Sequence, residues 1–314
     1  SDASVAHAMY EPSPVKVKFI NQKNEPVLRV VGDNFALGFD RTTGWLTQYE
    51  VGGTNMLGNG GTLKANFWRA LTDNDMGADF QHKLGVWRNP EMKLISLTTQ
   101  TVANGTMKAH PTVIACYDMP TVKAQLKLTY TIFEKGELNV KMQMTTDKNA
   151  KVSDMLRFGM VMQMPYNMDQ IRYFGRGPIE NYSDRKASER IGIYKQTADN
   201  QFFPYIRPQE NGTKQDVKWW QQTNASGTGL EIHGELGDLS MSALHYAIAD
   251  LDDGLEKGQR HSYQVKKSPF TNLCIDKEQT GVGGTNSWGE WPLERYRLHY
   301  GDRTYEFLLR PIVK

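Results

Sequence analysis

Apolar and polar positions alternate with a period of two along much of the chain. Leu126, Leu128, Tyr130 and Ile132 alternate with polar residues, Glu134-Lys135-Gly136-Glu137 interrupts, and Leu138, Val140, Met142 and Met144 resume the alternation. Two such runs around a glycine-containing turn predict a hairpin with one buried face. Leu28 and Val30 stand to Phe35, Leu37 and Phe39 in the same way, across Gly32-Asp33-Asn34. A third hairpin is predicted at the C-terminal end, from Tyr296, Leu298 and Tyr300, through Gly301-Asp302, to Tyr305, Phe307 and Leu309. Sustained helical periodicity with caps is missing, and the stretch 238–249 reads equally as a short helix or a strand. Strand following strand predicts an all-β chain folded as a large antiparallel sandwich. The strand–helix alternation of a barrel or doubly wound sheet is not visible. No Pro/Gly/Ser tract divides the chain and no fixed-period repeat occurs. The simplest organisation is a lead-in segment over 1–16, followed by one domain over 17–314.

Composition narrows the function classes. A chain of 314 residues can bury a sizeable core. With 37 basic and 35 acidic residues, it offers no electrostatic case for nucleic acid or an anionic membrane surface as partner. Its apolar stretches fall well short of the ~20 residues of a membrane span. Cys116 and Cys274 both sit in apolar contexts, so each is expected as a buried free thiol, with pairing left open. They do not decide the compartment; the cytoplasm is favoured and the periplasm stays open. The chain begins Ser-Asp-Ala, and no charged region followed by an apolar run marks a signal peptide. Such a start suits an excised fragment or a processed chain.

Four segments carry candidate chemistry. In Asn66–Asp75, "NFWRALTDND", Asp73, Asn74 and Asp75 follow Arg69. Such residues build a turn through side-chain-to-backbone hydrogen bonds, or hold a hard cation or a sugar hydroxyl; the spacing is not that of a calcium loop. In Tyr173–Arg185, "YFGRGPIENYSDR", a glycine–proline turn displays Glu180, Asn181, Asp184 and Arg185. Either an arginine–carboxylate lattice braces this loop or Glu180 serves as a general acid. The third segment, Phe202–Gly212, "FFPYIRPQENG", reads as a packed loop. The fourth is Gly281–Pro292, "GVGGTNSWGEWP", with four glycines and two indoles. An exposed indole stacks on the apolar face of a sugar while polar neighbours such as Asn286 and Ser287 bond its hydroxyls; the alternative is that Trp288 and Trp291 plug the edge of the sandwich. The seven histidines show no zinc spacing, so no metal site is expected.

Taken in order, "NFALGFDRTTGWLTQY" (34–49), "RALTDNDMG" (69–77), "FGRGPIENYSDR" (174–185), "PYIRPQENG" (204–212) and "GVGGTNSW" (281–288) resemble the C-terminal, small-chain domain of the glycoside hydrolase family 2 β-galactosidases of the lac-operon type. The resemblance runs over roughly 17–314. It implies a supersandwich of the galactose mutarotase kind. It also implies that the retaining acid/base and nucleophile glutamates lie on a separate barrel domain of a longer chain, with Mg²⁺ and Na⁺ near that site and none here. The Gly-Gly-x-x-Ser-Trp frame places a substrate-stacking residue at Trp288, with the loop glycines expected to supply unusual backbone angles. Implied partners are a β-galactoside, the barrel domain and further copies of a full-length oligomer. Two departures stand out: Leu71 where the family often has proline, and Thr285-Asn286 where it often has an acidic pair. Trp291 receives no role. Two other classes remain: a free-standing aldose 1-epimerase, whose acid and base would be His233 or His245 with a glutamate, and a non-catalytic carbohydrate-binding module.

Overall fold

The computed structural model describes residues 17–102, 110–286 and 288–314, so the lead-in segment 1–16 and Ser287 lie outside the described residues. The described residues form two antiparallel sheets. Along the ten-stranded sheet, neighbouring strands run Lys18–Ile20, Val27–Val31, Phe35–Asp40, Leu46–Val51, Leu63–Asn66, Arg157–Pro165, Phe270–Gln279, Leu239–Leu244 and Lys214–Val217, with Thr54–Asn55 pairing off Leu46–Val51. Along the nine-stranded sheet they run Arg190–Thr197, Gln170–Gly177, Trp219–Thr223, Gly229–Gly234, Arg303–Ile312, Leu138–Thr146, Ala124–Ile132, His110–Met119 and Lys93–Val102.

Period-two patterning explains why the sheets pack face to face. In Ala124–Ile132 and Leu138–Thr146 the apolar positions are buried and the intervening ones are not, with Tyr130 opposite Val140 and Leu128 opposite Met142. Met160, Met162, Leu273 and Ile275 of the ten-stranded sheet join them in one core cluster. Two tyrosines tie the layers together across this core: Tyr49 donates to the Gly136 carbonyl (2.6 Å) and Tyr305 to the Ile275 carbonyl (2.7 Å). Their burial raises both hydroxyl pKa values well above the usual range.

Two of the three expected hairpins form as read, at 27–40 and 124–146. The third does not. Glu294–Tyr296 is a 3-10 turn and Leu298 makes a single bridge to Met155. Strand Arg303–Ile312 already has Leu138–Thr146 on one edge and Gly229–Gly234 on the other, so no edge is open to a hairpin partner. Tyr300 instead donates its hydroxyl to the Val122 carbonyl at 2.8 Å. The ambiguous stretch 238–249 holds the buried strand Leu239–Leu244 and the start of the short helix Ile248–Leu251. Both cysteines are free thiols; Cys274 is buried and Cys116 only partly so. Among the described residues no helix is long and apolar enough to cross a membrane.

Candidate functional site

The glycine–tryptophan loop is gripped at several points by residues far away in sequence. Arg69, fully buried, directs all five guanidinium N–H groups to defined acceptors. Nε and Nη2 bond the two Asp75 carboxylate oxygens at 2.9 and 2.8 Å. Nη1 reaches the Gln279 side chain (3.3 Å) and the Thr280 carbonyl (2.5 Å), and Nη2 also reaches the Gly281 carbonyl (2.9 Å). Asp75 at the same time caps the short helix Asp73–Gly77: its carboxylate accepts from Thr72 N (3.0 Å), and its own N–H donates to the Thr72 hydroxyl (3.1 Å). One buried ion pair thus fixes both the helix start and the root of the loop.

Further along, the Asn74 side chain pairs with loop backbone in both senses. Nδ2 donates to the Glu290 carbonyl and Oδ1 accepts from Gly289 N, each at 3.0 Å. Asp184 accepts from Val282 N (3.0 Å) and Gly283 N (2.8 Å). Within the loop, Asn286 Oδ1 accepts from Trp288 N (3.1 Å) and Glu290 N (3.3 Å), closing a side-chain-to-backbone turn. The expectation for the glycines needs correcting. Of the four, only Gly289 takes a positive φ, +117°. Gly281 is required by close approach, since a Cβ there would overlap the Asp184 carboxylate.

This framework separates the two indoles. Trp291 packs edge-on against Phe80 (centroids 4.6 Å apart) and lies under the Arg297 guanidinium at 4.6 Å, joined to the core. Trp288 is 80% exposed. Its loop is bonded to Asn74 and Asp184, and no described residue covers the indole.

The second motif braces its neighbour. One Glu180 carboxylate oxygen takes Arg185 Nη2 (2.6 Å) and the Tyr205 hydroxyl, and the other accepts from Gly212 N (2.7 Å). Asn181, fully buried, donates to the Arg176 and Ile179 carbonyls and accepts from Gln215 N, all at 3.0 Å. Glu180, Asn181 and Arg185 therefore tie 176–185 to 205–215, while Asp184 alone turns to the Trp288 loop. Asp73 belongs to the same bracing, bonded to Arg207 Nε (2.7 Å) and Gln209 Nε2 (3.2 Å). Partial burial pushes its carboxyl up, but Arg207, Gln209 and Lys257 outweigh this and hold it below the usual carboxylate range.

A buried cluster went unread in the sequence. Arg157 contacts Glu210 (3.1 Å) and Asp276 (2.9 Å), yet neither Asp276 oxygen has an aligned hydrogen bond. Burial pushes the Asp276 carboxyl up to about 7, with Arg157 opposing and Glu210 adding to the rise. His233 pairs with Glu231 on the nine-stranded sheet (2.6 Å). His245 stacks on Tyr166 and bonds Asp199 (3.1 Å). The two are engaged separately and share no glutamate. Among the described residues no group of three or more His, Cys, Asp and Glu side chains is arranged to hold a metal ion.

Fold and loop together define a two-sheet antiparallel sandwich that presents one anchored, outward tryptophan. The chain belongs to the β-galactosidase small chain family, whose model matches residues 31–309. It is 30% identical over 299 residues to a β-galactosidase of Priestia megaterium, covering 92% of this chain and 27% of that protein. It is also 30% identical over 266 residues to one of Lactobacillus delbrueckii subsp. bulgaricus, covering 84% and 25%. The chain thus spans about a quarter of the length of the relatives it matches. Among solved structures, a galactose 1-epimerase from Lactobacillus acidophilus is similar over 95% of this chain and 99% of its own, with a TM-score of 0.45 and 9% identity.

Proposed function

We propose that this chain is the C-terminal domain of a longer, retaining β-galactosidase and that it completes the substrate pocket with Trp288 while the catalytic glutamate pair lies elsewhere in that protein. The observation that carries the reading is the exposure of Trp288 on a loop whose backbone is bonded to Asn74 and Asp184 and whose root is bonded to Arg69. A stacking surface acts only if it is held still, because ordering a mobile loop on binding would consume the small gain from one aromatic contact. Asn286 shapes the turn behind the indole, and Ser287 completes the motif. The candidate carboxylates support the same division of labour. Asp75, Asp184 and Glu180 are each committed to loop donors within this chain, whereas glycoside hydrolysis needs two carboxyl groups facing the scissile bond. Mg²⁺ and Na⁺, where the full-length enzyme uses them, belong to the other domain in this reading, as does the contact that joins the domains. The intact protein is an oligomer by the same family resemblance.

Two experiments test it. The 314-residue chain should hydrolyse no aryl β-galactoside; turnover by pure chain that disappears in Glu180→Gln would overturn the reading. In the full-length protein, Trp288→Ala should weaken disaccharide binding and galactosyl transfer to sugar acceptors without loss of fold.

A further inference from the structure

The outward face of the ten-stranded sheet carries a cavity of about 730 Å³, within the range of about 300–1,000 Å³ usual for small-molecule sites. Its floor is a patch of β-ladder. Lys64, Val161, Cys274 and Ser242 share one row across four strands, and Gln163, Asn272 and Leu244 share the next but one along the strands. These side chains face away from the core because their alternating neighbours Leu63, Met162, Leu273 and Ala243 fill it. Trp45 and Tyr246, each partly buried, supply aromatic surface to the walls, while Trp68 lies buried beneath the Arg88 guanidinium. None of the lining residues belongs to the 281–292 loop, and Arg69, Asn74, Asp75 and Asp184 are not among them.

The floor keeps hydrogen-bonding capacity in reserve. Gln163 Oε1 accepts from Thr62 N (3.2 Å) and Oγ1 (3.3 Å), while its Nε2 has no partner among the described residues. Asn272 commits Nδ2 to the Leu244 and Phe270 carbonyls and leaves Oδ1 to accept. Lys64 is exposed and makes no ion pair among the described residues. The rim carboxylates are already neutralised, Asp252 by Arg88 (2.7 Å) and Asp253 by Arg207 and Arg260. The cavity therefore combines aromatic walls with donors and an acceptor, and its carboxylates have their counter-ions in place. A sugar ring matches this combination: its C–H faces lie on aromatic surface, and each hydroxyl both donates and accepts.

We propose that this cavity is a second saccharide-binding site, independent of Trp288, which takes a neutral mono- or disaccharide over the Lys64–Gln163–Asn272 floor between its aromatic walls.

The test is calorimetric titration of the 314-residue chain with galactose, glucose and lactose, with circular dichroism confirming the fold of every variant. At least one sugar should bind with Kd of about 1 mM. Val161→Trp, which fills the cavity, should weaken that binding at least roughly tenfold, and Lys64→Ala combined with Gln163→Ala roughly fivefold. Trp288→Ala should leave it unchanged. Should Val161→Trp fail to fold, the Lys64/Gln163 double variant decides alone. No saturable binding up to about 50 mM of any of the three sugars, or binding indifferent to the folded cavity variants, would overturn the proposal. Loss of binding in Trp288→Ala would also overturn it and assign the sugar to the loop. Failure here leaves the pocket role of Trp288 standing, because that role is read out by kinetics of the full-length protein.

Discussion

Arg69 and Arg157 are both fully buried and both face carboxylates, yet they are built differently. Around Arg69 all five donors find acceptors, and the paired Asp75 is bonded on both oxygens. Around Arg157, two carboxylates compete for one guanidinium and Asp276 is left without an aligned bond. A buried charge is stabilised by geometry as much as by proximity, so the first arrangement locks a loop in place. The second leaves a carboxyl whose proton is held up to about 7. The locked arrangement lies beneath the loop that displays Trp288.

The same substitution in the two clusters should separate them most sharply. Asp75→Asn leaves Arg69 buried without a counter-ion and should cost about 3–5 kcal/mol, read as a fall in denaturant midpoint at constant slope. Asp276→Asn should cost far less at neutral pH, since Arg157 keeps Glu210. Its signature is in the pH dependence. The folded value of Asp276 lies above the ordinary 3.8, so the folded chain holds an extra proton between 3.8 and about 7, and stability declines as pH rises through that window. Asp276→Asn should remove that decline, and an unchanged pH profile would mean Asp276 is ionised in the fold.

Smaller effects probe the loop itself. Trp291→Ala removes an indole packed on Phe80 and Arg297 and should cost about 2 kcal/mol. Asn74→Ala removes two hydrogen bonds to the loop and should cost about 1 kcal/mol. Trp288→Ala should change stability by less than about 0.5 kcal/mol, as an exposed side chain would. Comparable losses at Trp288 and Trp291 would break the distinction between platform and packing.

The sequence made the alternating hairpins at 27–40 and 124–146 legible, because period-two patterning and a local turn are both short-range signals. It misled at 296–309, where the strand pairs on both edges with distant partners instead of its neighbour. The roles of Asp73, Asn74 and Asp75 stayed open for the same reason. Asn74 acts on residues more than 200 positions away, and whether Asp75 is a cap, a ligand or a counter-ion depends on Arg69's other acceptors, equally remote. Glu180 read equally as an acid or a brace, since only the fold brings Tyr205 and Gly212 to its two oxygens. Lys64, Gln163 and Asn272 went unnoticed because a polar residue opposite a core position looks the same in sequence whether it faces water or a cavity. The resemblance marked Trp288 and left Trp291 without a role; in the fold Trp288 is exposed and Trp291 packs on Phe80 and Arg297.

We propose that an anchored Trp288 contacts a substrate whose chemistry is performed elsewhere in a longer protein. The most direct measurement is steady-state kinetics of the full-length protein carrying Trp288→Ala, with lactose as substrate and its stability checked in parallel. The account predicts an unchanged fold and a rise in KM of roughly tenfold, the loss of one aromatic contact worth about 1–2 kcal/mol. Kinetics identical to the parent for lactose and for every sugar acceptor would contradict it.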